Sequence, residues 1–295
     1  IGALFGVIYG LWYLRQSFCF CFDFTRLREM LIFSAPLVPS GIMVFISNYI
    51  DRMMINHFLS VDQVGIYGIG FRLASTIALV MVGFQGALTP LIYTYYREPN
   101  TPYQLARIFR FFLAFIFIAL LTLSLFSYDI LVLMTTPQYY SASSVVAFLA
   151  SSVLLSQMYI FAPGISIAKK THLILFINIG GAMLNSILNW ILIPYFGILG
   201  AALAMFLGYT SIFITYMVFS QRLYYVPHDW KCIGIAIVLI ALLSWGIPLF
   251  GLKGIERWIL NVLALLLACI IIIFSRLVRV NELMQIKNIL LTRKL

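Results

Sequence analysis

The chain has 295 residues, of which 63% are apolar and 9% are charged, and its mean hydropathy is +1.04. A soluble domain is about half apolar and a quarter charged, so this composition excludes a soluble globular protein. Disorder requires low hydrophobicity and high charge, and it is excluded as well. The composition predicts an all-α, polytopic membrane helix bundle with room for roughly nine or ten spans.

The first apolar run begins at the first residue. Residues 1–14 are apolar, with no initiator methionine and no charged start. This pattern is typical neither of a signal peptide nor of a natural N-terminus. We interpret the run as the end of a helix whose beginning is missing, so the chain is expected to be a fragment.

Hydrophobic windows predict nine segments separated by short polar connections. The third segment is too long for one perpendicular span, and Pro90 within it allows a bend. Because every connection is short, no soluble domain is expected between the spans. The nine segments are 1–14 (truncated), 30–50, 64–96, 108–127, 144–168, 173–193, 197–220, 232–250 and 258–275.

The basic residues give these segments a direction. The net charge is +10, with 19 Lys and Arg against 9 Asp and Glu. Fifteen of the 19 lie in alternate loops and the C-terminal tail, three lie in the opposite loops, and Arg72 lies inside a segment. The positive-inside rule therefore places the basic loops and the C-terminus in the cytoplasm. Because the charges lie between apolar runs, nucleic acid is not an expected partner.

Two connecting regions have amphipathic character. Residues 128–143 mix apolar and polar side chains around Pro137, which favours a short interfacial helix. The tail, residues 276–295, alternates leucines with basic residues and is either a helix on the anionic cytoplasmic leaflet or a solvated tail.

The sequence contains no motif typical of a cofactor or metal site. Four cysteines lack the Cys-x-x-Cys spacing, and three scattered histidines do not complete a ligand set with them. No phosphate-binding G-x-x-x-x-G-K-[ST] motif occurs, so ATP hydrolysis by this chain is not expected. No cofactor and no metal are implied.

Arg72 is the basic residue within a predicted span. One interpretation is that its side chain extends to the outer headgroups. The other is an anion-binding charge in a cavity, because guanidinium groups suit phosphate. Arg72 and Thr76 begin a helical stripe that continues through small or weakly polar positions and favours a cavity wall or a close helix contact. The remaining members are Leu79, Gly83, Gly86 and Pro90.

Three amides and one charge pair complete the candidate site residues. Asn178, Asn185 and Asn189 share one helix face, where they either form interhelical hydrogen bonds or contact a sugar or headgroup. Asp51 and Arg52 are expected to end the second segment at the outer interface, where they form a gate, a proton relay or a surface ion pair. No other acidic residue is predicted inside a span, and none of the span interiors shows a catalytic acid–base set.

Three stretches resemble the polysaccharide (O-antigen type) flippases of the multidrug/oligosaccharidyl-lipid/polysaccharide exporter superfamily. They share paired prolines before an Asp-Arg pair and a Gly-x-Tyr, a Tyr-x-Ala before a long span that ends at Lys-Lys, and an Asn-x-x-x-Asn, Ile-Pro and Phe-Gly-x-x-Gly-Ala series. In this chain the motif residues are Pro36, Pro39, Asp51, Arg52, Gly65 and Tyr67; Tyr140, Ala142, Lys169 and Lys170; and residues 185–202.

The resemblance implies an architecture of two six-helix lobes followed by two extra helices. Residues 1–14 would end the first lobe, 15–29 would be a cytoplasmic linker, and 30–220 would be the second lobe. Residues 232–275 would be the additional pair, and 276–295 the basic cytoplasmic tail.

The resemblance also implies a function: a flippase that moves undecaprenyl-pyrophosphate-linked oligosaccharide across the bacterial inner membrane for surface polysaccharide synthesis. The lipid-linked oligosaccharide, the bilayer and the polysaccharide polymerase machinery would be its partners. Arg72 would hold the pyrophosphate, Thr76 and the three asparagines would line or brace the lobe, and Asp51 and Arg52 would gate it. Pro36, Pro39 and Pro90 would supply bends for alternating access.

Other functions remain open on the sequence alone. An ion-coupled multidrug exporter of the same fold requires acidic residues in the membrane, which are expected only at the interface here. A membrane enzyme such as a polymerase requires a large outward loop or embedded acid–base residues. A purely structural membrane subunit is the remaining alternative. A non-enzymatic transport role is therefore expected.

Overall fold

A computed structural model describes residues 2–15, 22–247, 254–275 and 277, and 88% of this part is helical, with no strands. It confirms the predicted all-α class. The helices are α1 (Gly2–Leu14), α2 (Phe24–Ser34), α3 (Leu37–Phe58), α4 (Val61–Ala74), α5 (Thr76–Tyr95), α6 (Thr101–Leu125), α7 (Ser127–Met134), α8 (Ser143–Gln157), α9 (Gly164–Ile167), α10 (Thr171–Phe196), α11 (Ile198–Leu223), α12 (Trp230–Gly246) and α13 (Ile255–Phe274), and short 3₁₀ helices span Pro137–Ala142 and Met158–Phe161.

Seven helical stretches of the described chain are long and apolar enough to cross a membrane. They correspond to seven of the nine predicted segments, so the chain is a multi-pass membrane protein. The other two segments, the first and the eighth, form the shorter apolar helices α1 and α12. The predicted end of the eighth segment (248–250) and the tail, apart from Leu277, lie outside the described residues.

Local sequence signals set several helix ends. The Asp23 carboxylate accepts hydrogen bonds from the backbone N–H groups of Thr25 and Arg26, and this cap starts α2. Ser60 caps α4 through the N–H of Gln63. Between α10 and α11, Gly197 has a φ of +60°, a conformation that side-chain-bearing residues rarely adopt. The glycine of the Phe-Gly motif therefore permits the tight turn between two long spans.

The second and third predicted segments each form two helices. α2 ends before Pro36 and α3 begins after it, with Pro39 in the first turn of α3. The third segment is interrupted at Ser75, whose hydroxyl donates to the Phe71 carbonyl at 2.7 Å. Pro90, which was expected to allow a bend, lies within α5, and the helix continues through it to Tyr95. A hydroxyl bonded back to the helix backbone accounts for the interruption, because it competes with the regular helix ladder.

The region predicted as a short interfacial helix is helical. Residues 128–143 contain most of α7 and the 3₁₀ helix Pro137–Ala142. The rings of Tyr128 and Tyr140 meet edge to face at 5.6 Å between centroids, which ties the two short helices together.

The core is centred on α8, which packs against α4, α5, α6, α7 and α11. Its side chains are largely buried, and the neighbouring α6 contributes a Phe-rich face to the same core. Phe109 and Phe112 of α6 pack on the ring of Phe161 at 4.7 and 5.1 Å. These contacts leave the outward faces of the bundle apolar, as expected for helices that contact lipid.

The last two helices dock on α6. The Ser124 hydroxyl donates to the Ser244 carbonyl of α12 at 2.9 Å, and the Asn261 amide of α13 donates to the Leu125 carbonyl at 3.1 Å. Arg257 of α13 forms an ion pair with Asp129 of α7. Polar contacts of this kind give the pair a defined position where apolar contacts alone would allow it to slide.

Candidate functional site

Asp51 lies in the interior of the bundle and is fully buried. Its carboxylate accepts two hydrogen bonds: Oδ1 from the Asn189 amide of α10 at 2.6 Å, and Oδ2 from the Tyr67 hydroxyl of α4 at 2.8 Å. Three helices therefore meet at one carboxylate. Burying a carboxylate among neutral donors lowers the stability of the fold. In membrane spans such groups usually mark functional sites.

Asp51 was expected to end its helix, and this part of the expectation is wrong. α3 continues to Phe58, about two turns beyond Asp51. A hydropathy window ends at a charged pair because it does not register partners supplied by other helices. The sequence also carried no sign that an acid would be buried among the helices, for the same reason.

Of the three interpretations of Asp51 and Arg52, the surface ion pair is not seen among the described residues. The Arg52 guanidinium lies over the rings of Tyr49 and Phe71, at 5.1 and 5.2 Å from their centroids. Successive residues of a helix point about 100° apart, so neighbours in sequence face different surroundings. Arg52 is partly exposed and Asp51 is buried, and the two side chains therefore belong to different environments.

Asn189 and Asn185 extend the site along α10. The Asn189 amide nitrogen donates both to Asp51 and to the Asn185 side-chain oxygen one turn earlier. Asn189 Oδ1 and Asn185 Nδ2 have no hydrogen-bond partner, although both side chains are at least 99% buried. Gly208 of α11 makes room for this pair, because a Cβ there would lie 3.1 Å from Asn185 Cβ.

Two further polar pairs lie along the same side of α3. The Asn178 amide donates to the Ser40 hydroxyl at 2.7 Å, and the Tyr209 hydroxyl of α11 donates to Asn48 at 2.9 Å. Ser40 pairs with Asn178, and Asp51 pairs with Asn189, eleven residues on in both helices. α3 and α10 are therefore parallel and joined by a polar seam. Of the two interpretations of the asparagine stripe, the structure shows the interhelical contacts.

Arg72 and Thr76 lie apart from this buried seam. Arg72 is in the last turn of α4, its side chain is exposed, and it makes no ion pair with any described residue. The Thr76 hydroxyl is engaged with the Leu73 carbonyl at 2.8 Å. The predicted stripe is present as one exposed face along α4 and α5; its six positions, Arg72, Thr76, Leu79, Gly83, Gly86 and Pro90, are all exposed.

The predicted site residues thus form two groups. Asp51, Asn178, Asn185 and Asn189 form the buried seam, whereas Arg72 and Thr76 form an exposed face with a single charge. Pro36 and Pro39 border the start of α3, next to Ser40, which pairs with Asn178.

Sequence reasoning missed Asn48, Tyr67 and Tyr209 as members of the seam. A signal existed in α3, where Ser40, Ser47 and Asp51 recur at the same spacing of seven and four residues as the asparagines of α10. Two apolar helices with matching polar spacing favour a shared seam. The tyrosines had no such signal, since their hydroxyls become relevant only where helices meet.

Neither group has the composition of a metal site. In the part of the chain that the structure describes, no three His, Cys, Asp or Glu side chains gather closely enough to hold a metal ion. A groove of about 380 Å³ between α10 and α11 is lined by apolar and hydroxyl side chains such as Phe176 and Thr215. Because its lining carries no charge, it does not suit an anionic headgroup.

The first third of the chain matches a known protein family. Residues 1–96 match the family described as "Polysaccharide biosynthesis protein". The match covers about a third of the chain and includes α3, α4 and α5, which carry Asp51 and Arg72. It confirms the resemblance that the sequence motifs predicted. No curated protein and no solved structure matches the chain.

Proposed function

We propose that this protein is a transporter of polysaccharide precursors, a flippase that moves undecaprenyl-pyrophosphate-linked oligosaccharide across the bacterial inner membrane. The observation that carries the proposal is the match of residues 1–96 to polysaccharide biosynthesis proteins, in a chain that is a multi-pass helical bundle. The exported units would serve surface polysaccharides such as O-antigen, lipopolysaccharide or capsule, and the polymerase machinery would receive them.

The exposed face around Arg72 supports this substrate class. A pyrophosphate needs a cation with several donors, and a guanidinium meets two phosphate oxygens at once. Arg72 is the one charge on a stripe of small and weakly polar residues along α4 and α5. Small side chains at Gly83 and Gly86 leave space in which a bulky headgroup can pass.

The buried seam serves the same function as a brace. Asn178, Asn185 and Asn189 hold α10 against α3, so that the two helices move as one body during alternating access. In this proposal Asp51 and Arg52 lie toward the periplasmic gate. Direct contact of the asparagines with sugar is the alternative role.

The experiment is surface polysaccharide export by the full-length protein carrying Arg72→Ala, with Arg72→Lys and Arg222→Ala as controls. Arg222 is also an exposed arginine in the last turn of its helix, α11. Loss of a charge-assisted contact of about 1.5–3 kcal/mol predicts a tenfold to hundredfold weaker affinity for the lipid-linked substrate. Unchanged export by Arg72→Ala at matched expression contradicts the anchor role.

The second candidate is an ion-coupled multidrug exporter of the same fold. Asp51 favours it, because an acid buried inside the bundle supplies the membrane-embedded carboxylate that cation coupling requires. The two candidates differ in cargo. Flipping of a lipid-linked oligosaccharide in reconstituted vesicles, without efflux of cationic drugs, supports the first and excludes the second.

A further inference from the structure

The charge of Asp51 is stabilised by hydrogen bonds and not by an ion pair among the described residues. The side chain is fully buried, and no ion pair of its carboxylate occurs among the described residues. Two donors, Asn189 and Tyr67, contact it. Moving an ionised carboxylate out of water carries a large desolvation penalty, so a group in this position binds a proton more readily than it would in water.

The neighbouring amides are only half used. In the observed arrangement Asn189 Nδ2 donates twice, to Asp51 Oδ1 and to Asn185 Oδ1, while Asn189 Oδ1 and Asn185 Nδ2 have no partner. Buried amide groups are almost always satisfied. The side chain that contacts the carboxylate thus holds a free acceptor, Asn189 Oδ1, which a protonated carboxylic acid can use once the amide rotates.

We propose that Asp51 is a proton-binding site, and that its protonation reverses the hydrogen-bond chain through Asn189 and Asn185. A proton from water binds Asp51 Oδ1, and both amides rotate by half a turn. The new O–H donates to Asn189 Oδ1, and Asn185 Nδ2 donates to the same oxygen. Tyr67 continues to donate to Asp51 Oδ2. On release, the proton returns to water and the amides rotate back.

The other ionisable groups near the carboxylate do not replace it in this role. They are Arg52, beside it in α3, whose guanidinium lies over two aromatic rings; Tyr67 of α4; and Tyr209 of α11, which donates to Asn48. α10 presents amides. Both tyrosine hydroxyls already act as hydrogen-bond donors in the observed state, so the carboxylate is the group positioned to take up a proton.

Protonation of Asp51 can affect the exposed face around Arg72 through helix α4. Tyr67 and Arg72 belong to the same helix, α4, and lie five residues apart, about 7.5 Å along its axis. Neutralising Asp51 weakens the Tyr67 hydrogen bond, because bonds to an ionised acceptor are the stronger ones. The link from protonation to transport rests on the proposed function, whereas proton binding itself does not.

Infrared difference spectroscopy of the full-length protein in lipid nanodiscs tests proton binding directly. Lowering the pH is expected to produce the carbonyl band of a protonated carboxylic acid, and Asp51→Asn is expected to abolish it. Asp62→Asn is the matched control, since Asp62 is an exposed acid in the first turn of α4; the band should persist in it. Asn189→Ala should retain the band at a shifted frequency, because the acid loses its acceptor.

Several outcomes overturn the proposal. One is a band that persists in Asp51→Asn. Another is a carboxylate band of Asp51 that does not change from neutral to acidic pH. A third is a response to added Na⁺ at fixed pH with no response to pH, which makes the site a cation site. If Asp51→Asn fails to fold, Asp51→Glu substitutes for it, and an unshifted band then contradicts the assignment.

A transport measurement separates this inference from the proposed function. Vesicles with an imposed pH gradient should flip lipid-linked oligosaccharide faster than vesicles without one, and Asp51→Asn should lose that stimulation. If flipping is absent but the Asp51 band titrates, the proposed function fails and the proton site stands. If flipping occurs and the band is missing, the proton site fails alone.

Discussion

At the scale of single residues, Asp51 and Asn189 show that the cost of a buried polar group depends on its partner. Both side chains are fully buried, and the Asn189 amide donates a hydrogen bond to the Asp51 carboxylate. Removing one partner leaves the other without its contact in an apolar environment, which costs more than the net value of the hydrogen bond. The pair is therefore best tested with single and double variants.

We expect Asn189→Leu to lower stability by roughly 2–3 kcal/mol, because it removes a donor from a buried carboxylate. The double variant Asp51→Leu with Asn189→Leu should regain part of this loss, since no charge then remains buried. Melting temperatures of the purified protein in detergent measure both effects. If the loss of stability in the double variant equals the sum of the losses in Asp51→Leu and Asn189→Leu, the two residues are not coupled.

His228 gives a pH-dependent prediction outside the membrane-spanning helices. It lies between α11 and α12, packed edge to face against Phe109 and Trp230 at 4.7 and 5.2 Å. Burial lowers the pKa of His228 from 6.5 to about 4. The folded protein therefore binds fewer protons than the unfolded chain between these values, and stability falls as the pH drops from 6.5 toward 4.

This contribution is at most about 3 kcal/mol, and it is complete above pH 6.5 and lost below pH 4. Melting temperatures at pH 7 and pH 5 should differ less in His228→Leu than in the unsubstituted protein. His172→Leu, at an exposed position in α10, is the control and should keep the full difference. The same pH dependence in His228→Leu and the unsubstituted protein would exclude His228 as its source.

At the scale of helices, close approach of α10 and α11 depends on a missing side chain. A Cβ at position 208 would lie 3.1 Å from Asn185 Cβ, tighter than an ordinary contact. A Cβ at Gly181 of α10 would overlap the side chain of Ile212 of α11 outright. Small residues at such crossings allow the backbones to meet, which lets Asn185 pack directly against the backbone of α11.

We therefore expect Gly208→Ala to destabilise the protein by about 1–3 kcal/mol, the usual cost of overpacking. Gly180→Ala is the matched control in the neighbouring helix, because a Cβ there meets nothing within 4 Å. It should be neutral or slightly stabilising, since alanine favours helix more than glycine does. Thermal unfolding of the two variants compares them, and equal effects would rule out the steric explanation.

The direction of the helices also follows from contacts in the seam. Alternating basic loops predict that the second and sixth segments cross the membrane in the same direction. The pairs Ser40–Asn178 and Asp51–Asn189 show that α3 and α10 are parallel, which agrees with that prediction. Which end faces the cytoplasm depends on the charges and not on the packing.

At the scale of the whole molecule, the predicted orientation is open to a labelling experiment. In a background with Cys19, Cys21, Cys232 and Cys269 replaced by serine, single cysteines are placed at Ser60 and at Glu98. We expect a membrane-impermeant thiol reagent to label Ser60→Cys from the periplasmic side, and Glu98→Cys only after the inner membrane is opened. The reverse pattern would invert the topology.

How much the sequence determines differs between the fold and the site. Composition, segment order and alternating charge are set by the bilayer, because every span must be apolar and every basic loop is retained in the cytoplasm. These features could be predicted, as could the alignment of the positions from Arg72 to Pro90 on one helix face. The sequence favoured a cavity wall or a close helix contact for this face, and the structure leaves it exposed. Helix periodicity is a local property of the sequence, so it can be predicted without knowing which helices pack together.

Tertiary structure decided where the polar residues meet. Asp51 was expected at a surface with Arg52, yet it lies inside the bundle with Asn189 and Tyr67, which belong to other helices. Hydropathy counts the cost of a charge without its partners, and those partners come from other helices. The net charge of +10 and the apolar composition determined that this is a membrane protein. The packing of α3 against α4, α10 and α11 decided which of the few acidic residues of the protein is buried.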